Sequence, residues 1–269
     1  MSNPAETYES YMVPTLFGPW ASQLIERARP HPGERVLDVA CGTGVVARRA
    51  RSHVGPSGKV VGLDLNPHML TVARERAEGE AMNVEWHEGR AEELPFPASS
   101  FDLVLCQAGL MFFVDRNAAL GEMGRVLTND GRVFLSVLQG LDRHPFYRKL
   151  DEAIRNRLGM SAVEDIFALG NSDRLRESLT EAGFSEVRIE PVSIDARFPR
   201  PESFLAGEID VDTAAIPSMQ HLDEEARRRI TAAIREDMEA SLQEVTEDDH
   251  VALTFHTLVV AARRCERGS

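Results

Sequence analysis

The sequence predicts a doubly wound α/β fold, a mostly parallel sheet flanked by helices. Three observations carry that expectation. From Arg35 onward, short β-branched runs alternate with longer amphipathic ones, the pattern of repeated βαβ units. One apolar strand runs directly into Gly42-Thr43-Gly44 and then into a helix, the arrangement that seats a nucleotide at the carboxyl end of a sheet. Asp64 closes the next strand twenty positions after Gly44, where a ribose-binding acid is expected.

Taken in order, residues 22–29 read as a helix stopped by Pro30 and Pro32. With the aromatic-rich stretch 8–20 they form an α-helical N-terminal cover over residues 1–34. Residues 35–39, 59–64, 83–87, 101–106 and 132–138 read as five strands, and 44–52, 68–78 and 117–127 as the helices between them. Asn66-Pro67 opens the second of these helices, and Asn129-Asp130-Gly131 reads as a turn before the fifth strand. Residues 146–158 and 172–182 are helical, the latter stopped by Gly183, and 187–194 and 253–262 are late strands. A core over 35–198 and 251–264 follows. Residues 199–250 are too long for a loop in a compact domain, and 223–244 have helical spacing and dense charge. That insertion is expected to be a cap or lid, and it is also a candidate homodimer surface.

Composition narrows the function. The chain has 269 residues and a formal net charge of −13, so it repels nucleic-acid backbones and anionic lipid surfaces. Arg227-Arg228-Arg229 lies among Asp223, Glu224, Glu225 and Glu236, which makes it a solvated helical face. Cys41, Cys106 and Cys265 form no paired spacing, which fits a reducing cytoplasm and neither a disulfide framework nor a zinc site. Residues 1–11 carry Glu6 and Glu9 and no Lys or Arg, unlike a targeting peptide, and no apolar run suggests membrane insertion. His87, His221 and His256 show no ligand spacing, so no metal is expected.

At the glycine turn, Gly42 and Gly44 remove side chains where a nucleoside would lie on the backbone, and the helix start suits a ligand carboxylate. Asp38, at the end of the first strand, suits a ligand ammonium, and Asp64 suits two ribose hydroxyls. An aminoacyl nucleoside satisfies all of these. The bland alternative is a tight turn with two solvated strand-end acids. A sharper competitor is an NAD-linked oxidoreductase, because residues 42–47 also fit the Gly-x-Gly-x-x-Ala dinucleotide pattern. Against it stand Asp38, which would border the pyrophosphate, and the lack of a Tyr-x-x-x-Lys pair.

Val36-Leu37-Asp38-Val39-Ala40-Cys41-Gly42-Thr43-Gly44 resembles motif I of class I methyltransferases. Glu92-Glu93-Leu94-Pro95-Phe96-Pro97 with Ser100-Phe101-Asp102-Leu103-Val104 is similar to the ubiquinone/menaquinone-type and broader type 11 methyltransferases. Residues 121–127 followed by Asp130-Gly131-Arg132 continue the likeness, which spans about residues 8–190. The resemblance implies a Rossmann-like seven-stranded sheet, mostly parallel, with the last strand antiparallel. It implies S-adenosyl-L-methionine as cofactor, with S-adenosyl-L-homocysteine as product. The methionine end would lie along Asp38, Ala40, Gly42 and Gly44, and the ribose on Asp64. Adenine would lie against Leu65, Ala91 and Glu92. Gln107 would contact the methionine portion, and Tyr11 would close over the methyl group. Arg90 departs from the pattern: relatives often place an aspartate there to accept from the adenine amino group, and a guanidinium cannot accept. Ala108 departs as well, standing where a larger polar residue is common.

Methyl transfer is an in-line displacement that needs alignment more than acid–base chemistry. His144, past the fifth strand, is the candidate general base, weighed against a capping or solvent-facing role. Met111, Phe112, Phe113 and Phe146 suit an apolar or aromatic small-molecule acceptor, though such residues also build ordinary core. The expected function is methylation of a small molecule. The alternatives are a non-catalytic binding or regulatory protein on the same fold and, behind it, the NAD-linked enzyme.

Overall fold

A computed structural model describes residues 4–161, 163–214, 219 and 222–265. Two compact units emerge, one from Met1–Leu138, Gly170–Val192 and Thr257–Ser269, the other from Gln139–Leu169 and Ser193–His256.

The first unit opens with a helical turn, Pro4–Thr7, and a widened π-helical stretch, Tyr8–Phe17, which contains Pro14. Helix α1 (Gly18–Ala28) follows and ends at Arg29 in the left-handed conformation, immediately before Pro30. Strands β1 (Arg35–Val39), β2 (Lys59–Asp64), β3 (Glu85–Glu88), β4 (Phe101–Gln107) and β5 (Leu127–Leu138) alternate with helices α2 (Val45–Val54), α3 (Pro67–Gly79) and α4 (Arg116–Val126). The β1–β2, β2–β3, β1–β4 and β4–β5 pairings are parallel. The strand order is β3-β2-β1-β4-β5-β8-β6, with β6 being Phe184–Pro199 and β8 His250–Arg264, and β8 runs antiparallel to β5. The expected Rossmann-like sheet is therefore present, including its antiparallel strand. The order reverses between β1 and β4, which opens the ligand crevice of such sheets at their carboxyl ends.

Burial explains why these segments are strands. Val36, Leu37 and Val39 of β1 and Leu103 to Cys106 of β4 are fully or almost fully buried, as a sheet covered on both faces requires. Helix α2 presents Ala47, Ala50 and Val54 to the same core as Val36, Leu103 and α1's Leu24. Asn66, Asp115 and Asn171 each accept a backbone N–H at the start of α3, α4 and α6 (Ser172–Glu181), so the helix starts are written in their capping residues.

One local expectation fails. The Asn129-Asp130-Gly131 turn lies inside β5, which begins at Leu127; Phe101 pairs with Leu127 and Leu103 with Arg132, so the extra residues bulge out of register.

The second unit holds α5 (Pro145–Leu158), α7 (Pro201–Ala214), α8 (Glu224–Glu244) and the short strand β7 (Thr246–Glu247) paired with the start of β8. It takes in residues 139–169, which the sequence reading assigned to the core. The reason is visible in α5 and α8, joined by Lys149–Glu244 and Arg157–Asp237 ion pairs. An aromatic cluster fills it: Tyr147 packs on Phe146, Phe167 and Phe255, and Phe204 on Phe146 and Phe198. The half-buried Glu208 carboxyl bonds to Tyr147, and desolvation pushes its pKa up to about 7. His221 lies outside the described residues.

Candidate active site

The site grows out of the two strand ends at the reversal point. At β1, Asp38 is almost fully buried, and its Oδ2 accepts the Ala47 N–H of α2 at 2.9 Å. The carboxylate is thus tied to the third amide of the helix, anchoring the glycine turn from below. Burial pushes its pKa up to about 8 against the lowering effect of the Ala47 bond, with the Asp64 charge adding to the rise. A ligand ammonium nearby would reverse that shift.

The backbone then turns through Ala40 (φ 56), Gly42 (φ 54) and Gly44 (φ 84). At β4, Ala108 is also left-handed, with φ 53. Two alanines in a conformation L-residues disfavour, at neighbouring strand exits, mark local strain of the kind found around binding clefts. The two exits crowd each other, since a Cβ on Gly109 would stand 2.7 Å from that of Ala40.

The two motif glycines serve different ends. A Cβ on Gly44 would meet Trp86 Cη2 at 2.3 Å, so that space is filled by the β3 indole and is no ligand cradle. A Cβ on Gly42 would meet, among the described residues, only Tyr8 Cε1 at 3.9 Å. The open glycine face is therefore Gly42, and the ring across it is Tyr8, three positions before Tyr11.

At β2, Asp64 accepts the Gly42 N–H on Oδ2 at 2.7 Å and the Asn66 N–H on Oδ1 at 2.8 Å. Two backbone amides fix its orientation and leave each oxygen a further lone pair. Beside it, Leu65 exposes 58% of its surface, an unusual degree for leucine. Ala91 is buried. Glu92 accepts the Val114 N–H and lies 3.5 Å from Arg90. Arg90 thus faces Glu92, and position 90 offers no side-chain acceptor.

Gln107, at the end of β4 and paired with Ser136, donates Nε2 to the Phe17 carbonyl at 3.1 Å, while its buried Oε1 has no partner among the described residues. A buried acceptor without a donor is rare enough to need an explanation. Met111 is buried, whereas Phe112 exposes 66% and Val114 88%. In the second unit, Phe146 belongs to the aromatic core.

His144 is excluded as a base by its surroundings. It is buried, Nδ1 lies 3.1 Å from the Gly140 carbonyl, and Nε2 accepts the His256 N–H at 3.0 Å. The carbonyl requires a proton on Nδ1 and the amide requires a lone pair on Nε2, so the ring is a neutral structural bridge. Desolvation lowers its pKa accordingly. Among the described residues no group of three or more His, Cys, Asp or Glu side chains is placed to hold a metal ion, and no helix is long and apolar enough to cross a membrane.

The donor set fits an aminoacyl nucleoside: oriented Asp64 for a diol, exposed Leu65 for a flat apolar ring, and the unpartnered Gln107 Oε1 with Asp38 for an ammonium. What sequence reasoning missed was Tyr8, Trp86 and Arg48. Tyr8 and Trp86 had only their aromatic character as a signal, and Arg48 stands unmarked among several arginines.

Residues 36–131 match the family model described as a methyltransferase domain. The UbiE ubiquinone/menaquinone biosynthesis C-methyltransferase of Ectopseudomonas mendocina (strain ymp) is 43% identical over 118 residues, 43% of this chain and 46% of that protein. This chain therefore spans about half the length of that relative. The enzyme of the same name from Shewanella sp. (strain W3-18-1) is 33% identical over 185 residues, 62% of this chain and 73% of its own length. Among solved structures, the YcgJ protein of Bacillus subtilis superposes with a TM-score of 0.61 at 20% identity, covering 92% of this chain and 98% of that one, a likeness of fold alone. The chain belongs to the class I S-adenosylmethionine-dependent methyltransferases of the UbiE type.

Proposed function

We propose that this protein transfers a methyl group from S-adenosylmethionine to a small, apolar, quinone-type ring. The observation that carries the cofactor half is Asp64, its carboxylate aimed by the Gly42 and Asn66 amides beside the exposed Leu65. The acceptor half rests on the quinone methyltransferases named above and on the apolar Phe112 and Val114 side chains exposed after β4.

When bound, S-adenosylmethionine supplies an electrophilic methyl group on a sulfonium. In this reading Asp64 accepts the ribose hydroxyls, Leu65 and Ala91 face the adenine, and Glu92 fixes the adenine-side loop through Val114. Asp38 and Gln107 receive the ammonium end. The left-handed turn at Ala40 and Gly42 lets the backbone approach the ligand closely. Rate enhancement comes from alignment and exclusion of water, and His144 takes no part in proton transfer.

The test is calorimetric titration with S-adenosylmethionine, S-adenosylhomocysteine and NAD, followed by transfer of isotopically labelled methyl to a demethylated quinol. Binding of the first two and label in the quinol ring is the expected result. Binding of NAD alone would overturn the cofactor assignment. Tight S-adenosylhomocysteine binding with no label in the quinol would sink the acceptor assignment.

A further inference from the structure

Buried charge gathers where the N-terminal stretch meets α2 and α3. Glu9 is 8% exposed, and its Oε1 receives Arg48 Nη2 at 2.9 Å and lies 3.6 Å from Arg76 Nε. Arg48, equally buried, sends Nη1 to the Thr43 carbonyl inside the glycine turn at 2.5 Å, and its Nε faces Glu80 at 3.3 Å. Taking such charges out of water is unfavourable unless every lone pair is met, and here Glu9 Oε2 has no partner among the described residues. As a stability device the cluster is poor. As a geometric one it is good, because a planar guanidinium fixes its partners in direction as well as distance.

Two of the three partners of Arg48 are the glycine turn and the residue next to Tyr8, and the third is Glu80. The Tyr8 ring lies across the Gly42 face and against Phe17, with ring centroids 5.0 Å apart. At the other end of the stretch the Phe17 carbonyl is held by Gln107. Residues 8–17 are thus pinned twice onto the crevice, by Arg48 from α2 and by Gln107 from β4. Between the pins the helix is widened into π-turns, a form that tends to accompany functional sites.

We propose that Glu9 and Arg48 are positioning residues, a tether between the glycine turn and the N-terminal stretch that holds Tyr8 across Gly42 to contact the bound cofactor. This rests on the methyltransferase reading. Burial, with the charges of Glu9, Asp64 and Asp38, pushes the Tyr8 phenol well above its usual range. Its hydroxyl stays protonated and can donate to an acceptor on the cofactor.

The experiment has two arms. In the first, S-adenosylhomocysteine is titrated into the wild type, Glu9→Gln, Tyr8→Ala and the double variant. Each single change is expected to weaken binding about tenfold, the scale of one charge-assisted hydrogen bond. The double variant should be no worse than the weaker single, because Glu9 acts through Tyr8. Unchanged affinity in Glu9→Gln, or losses that multiply in the double variant, would overturn the proposal. The second arm needs no ligand: amide hydrogen exchange should speed up across residues 8–17 in Glu9→Gln while α2 keeps its protection. Equal exchange in wild type and variant would overturn the tether. Loss of protection throughout α2 would do the same, by showing a general structural role. If the wild type binds no S-adenosylhomocysteine, the methyltransferase reading and the Tyr8 contact fall together, and the exchange arm still decides the tether.

Discussion

Trp86 fills the space that a side chain on Gly44 would need, with its Cη2 atom 2.3 Å and its Cζ3 atom 2.9 Å from the position of a Cβ there. The same indole also blocks Gly62 of β2, where a Cβ would stand 2.5 Å from Cζ3. One aromatic ring therefore dictates glycine at two positions of the nucleotide-binding half. Gly44→Ala adds both a steric clash and a left-handed conformation to an L-residue, and we expect it to destabilise the fold by roughly 1–3 kcal/mol. Urea denaturation measures this; a loss of cofactor affinity with wild-type stability would contradict it.

Gly42 is left-handed as well but has open space around it: a Cβ there would have Tyr8 Cε1, at 3.9 Å, as its nearest neighbour among the described residues, so a substitution carries backbone strain and no clash. Gly42→Val should retain most of the sheet and lose cofactor binding. Full affinity for S-adenosylhomocysteine in a folded Gly42→Val protein would show that the ligand lies elsewhere.

Asp64→Ala removes the acceptor for the ribose and also the partner of the Gly42 and Asn66 amides. A weakening of roughly 1–3 kcal/mol in cofactor binding is expected from the lost charge-assisted hydrogen bonds. Circular dichroism should remain that of the folded protein. An affinity equal to wild type would remove Asp64 from the site.

Asp38, with its pKa pushed up to about 8 by burial, holds a proton near neutrality in the ligand-free protein. An ammonium beside it favours the carboxylate, so cofactor binding at pH 7 should release a proton. In calorimetry at pH 7 the binding enthalpy should then vary with the ionisation enthalpy of the buffer, and the dependence should vanish in Asp38→Asn. Because the folded pKa lies above the unfolded one, Asp38 contributes stability at low pH that is lost as pH rises through about 8. Asp38→Asn should flatten that decline in the melting temperature.

His144 yields a prediction of the other sign. Its pKa is lowered by burial, so the neutral ring contributes stability above the unfolded value, which is lost as pH falls through the folded value. His144→Ala should cost roughly 1–3 kcal/mol through unsatisfied Gly140 and His256 backbone groups. It should leave the acidic limb of the pH–rate profile, where protonation of a histidine base would show, unchanged. A kcat that falls by orders of magnitude in a stably folded variant would restore His144 as a base.

The order of strands and helices, the glycine turn and the acids at the ends of β1 and β2 were all legible in the sequence. They depend on local properties: hydrophobic period, capping residues such as Asn66 and Asn171, and glycine where the backbone turns left-handed. The roles of the site residues depend on what the chain brings together from a distance. That Asp38 is tied to Ala47, that Trp86 fills the space at Gly44, and that Tyr8 crosses Gly42 are decided by packing between separate elements. The same holds for Glu208, an unmarked residue of the 199–250 insertion in the sequence, whose pKa rises to about 7 only once burial strips it of water beside Tyr147. His144 shows the limit most clearly: next to Pro145 it offered a plausible base, but two backbone groups, one of them 112 residues away, use both its nitrogens. Periodicity and turn chemistry act over a few residues and survive in the bare sequence. Desolvation and hydrogen-bond satisfaction exist only when the chain has folded, because they are properties of a place in space and not of a position along it.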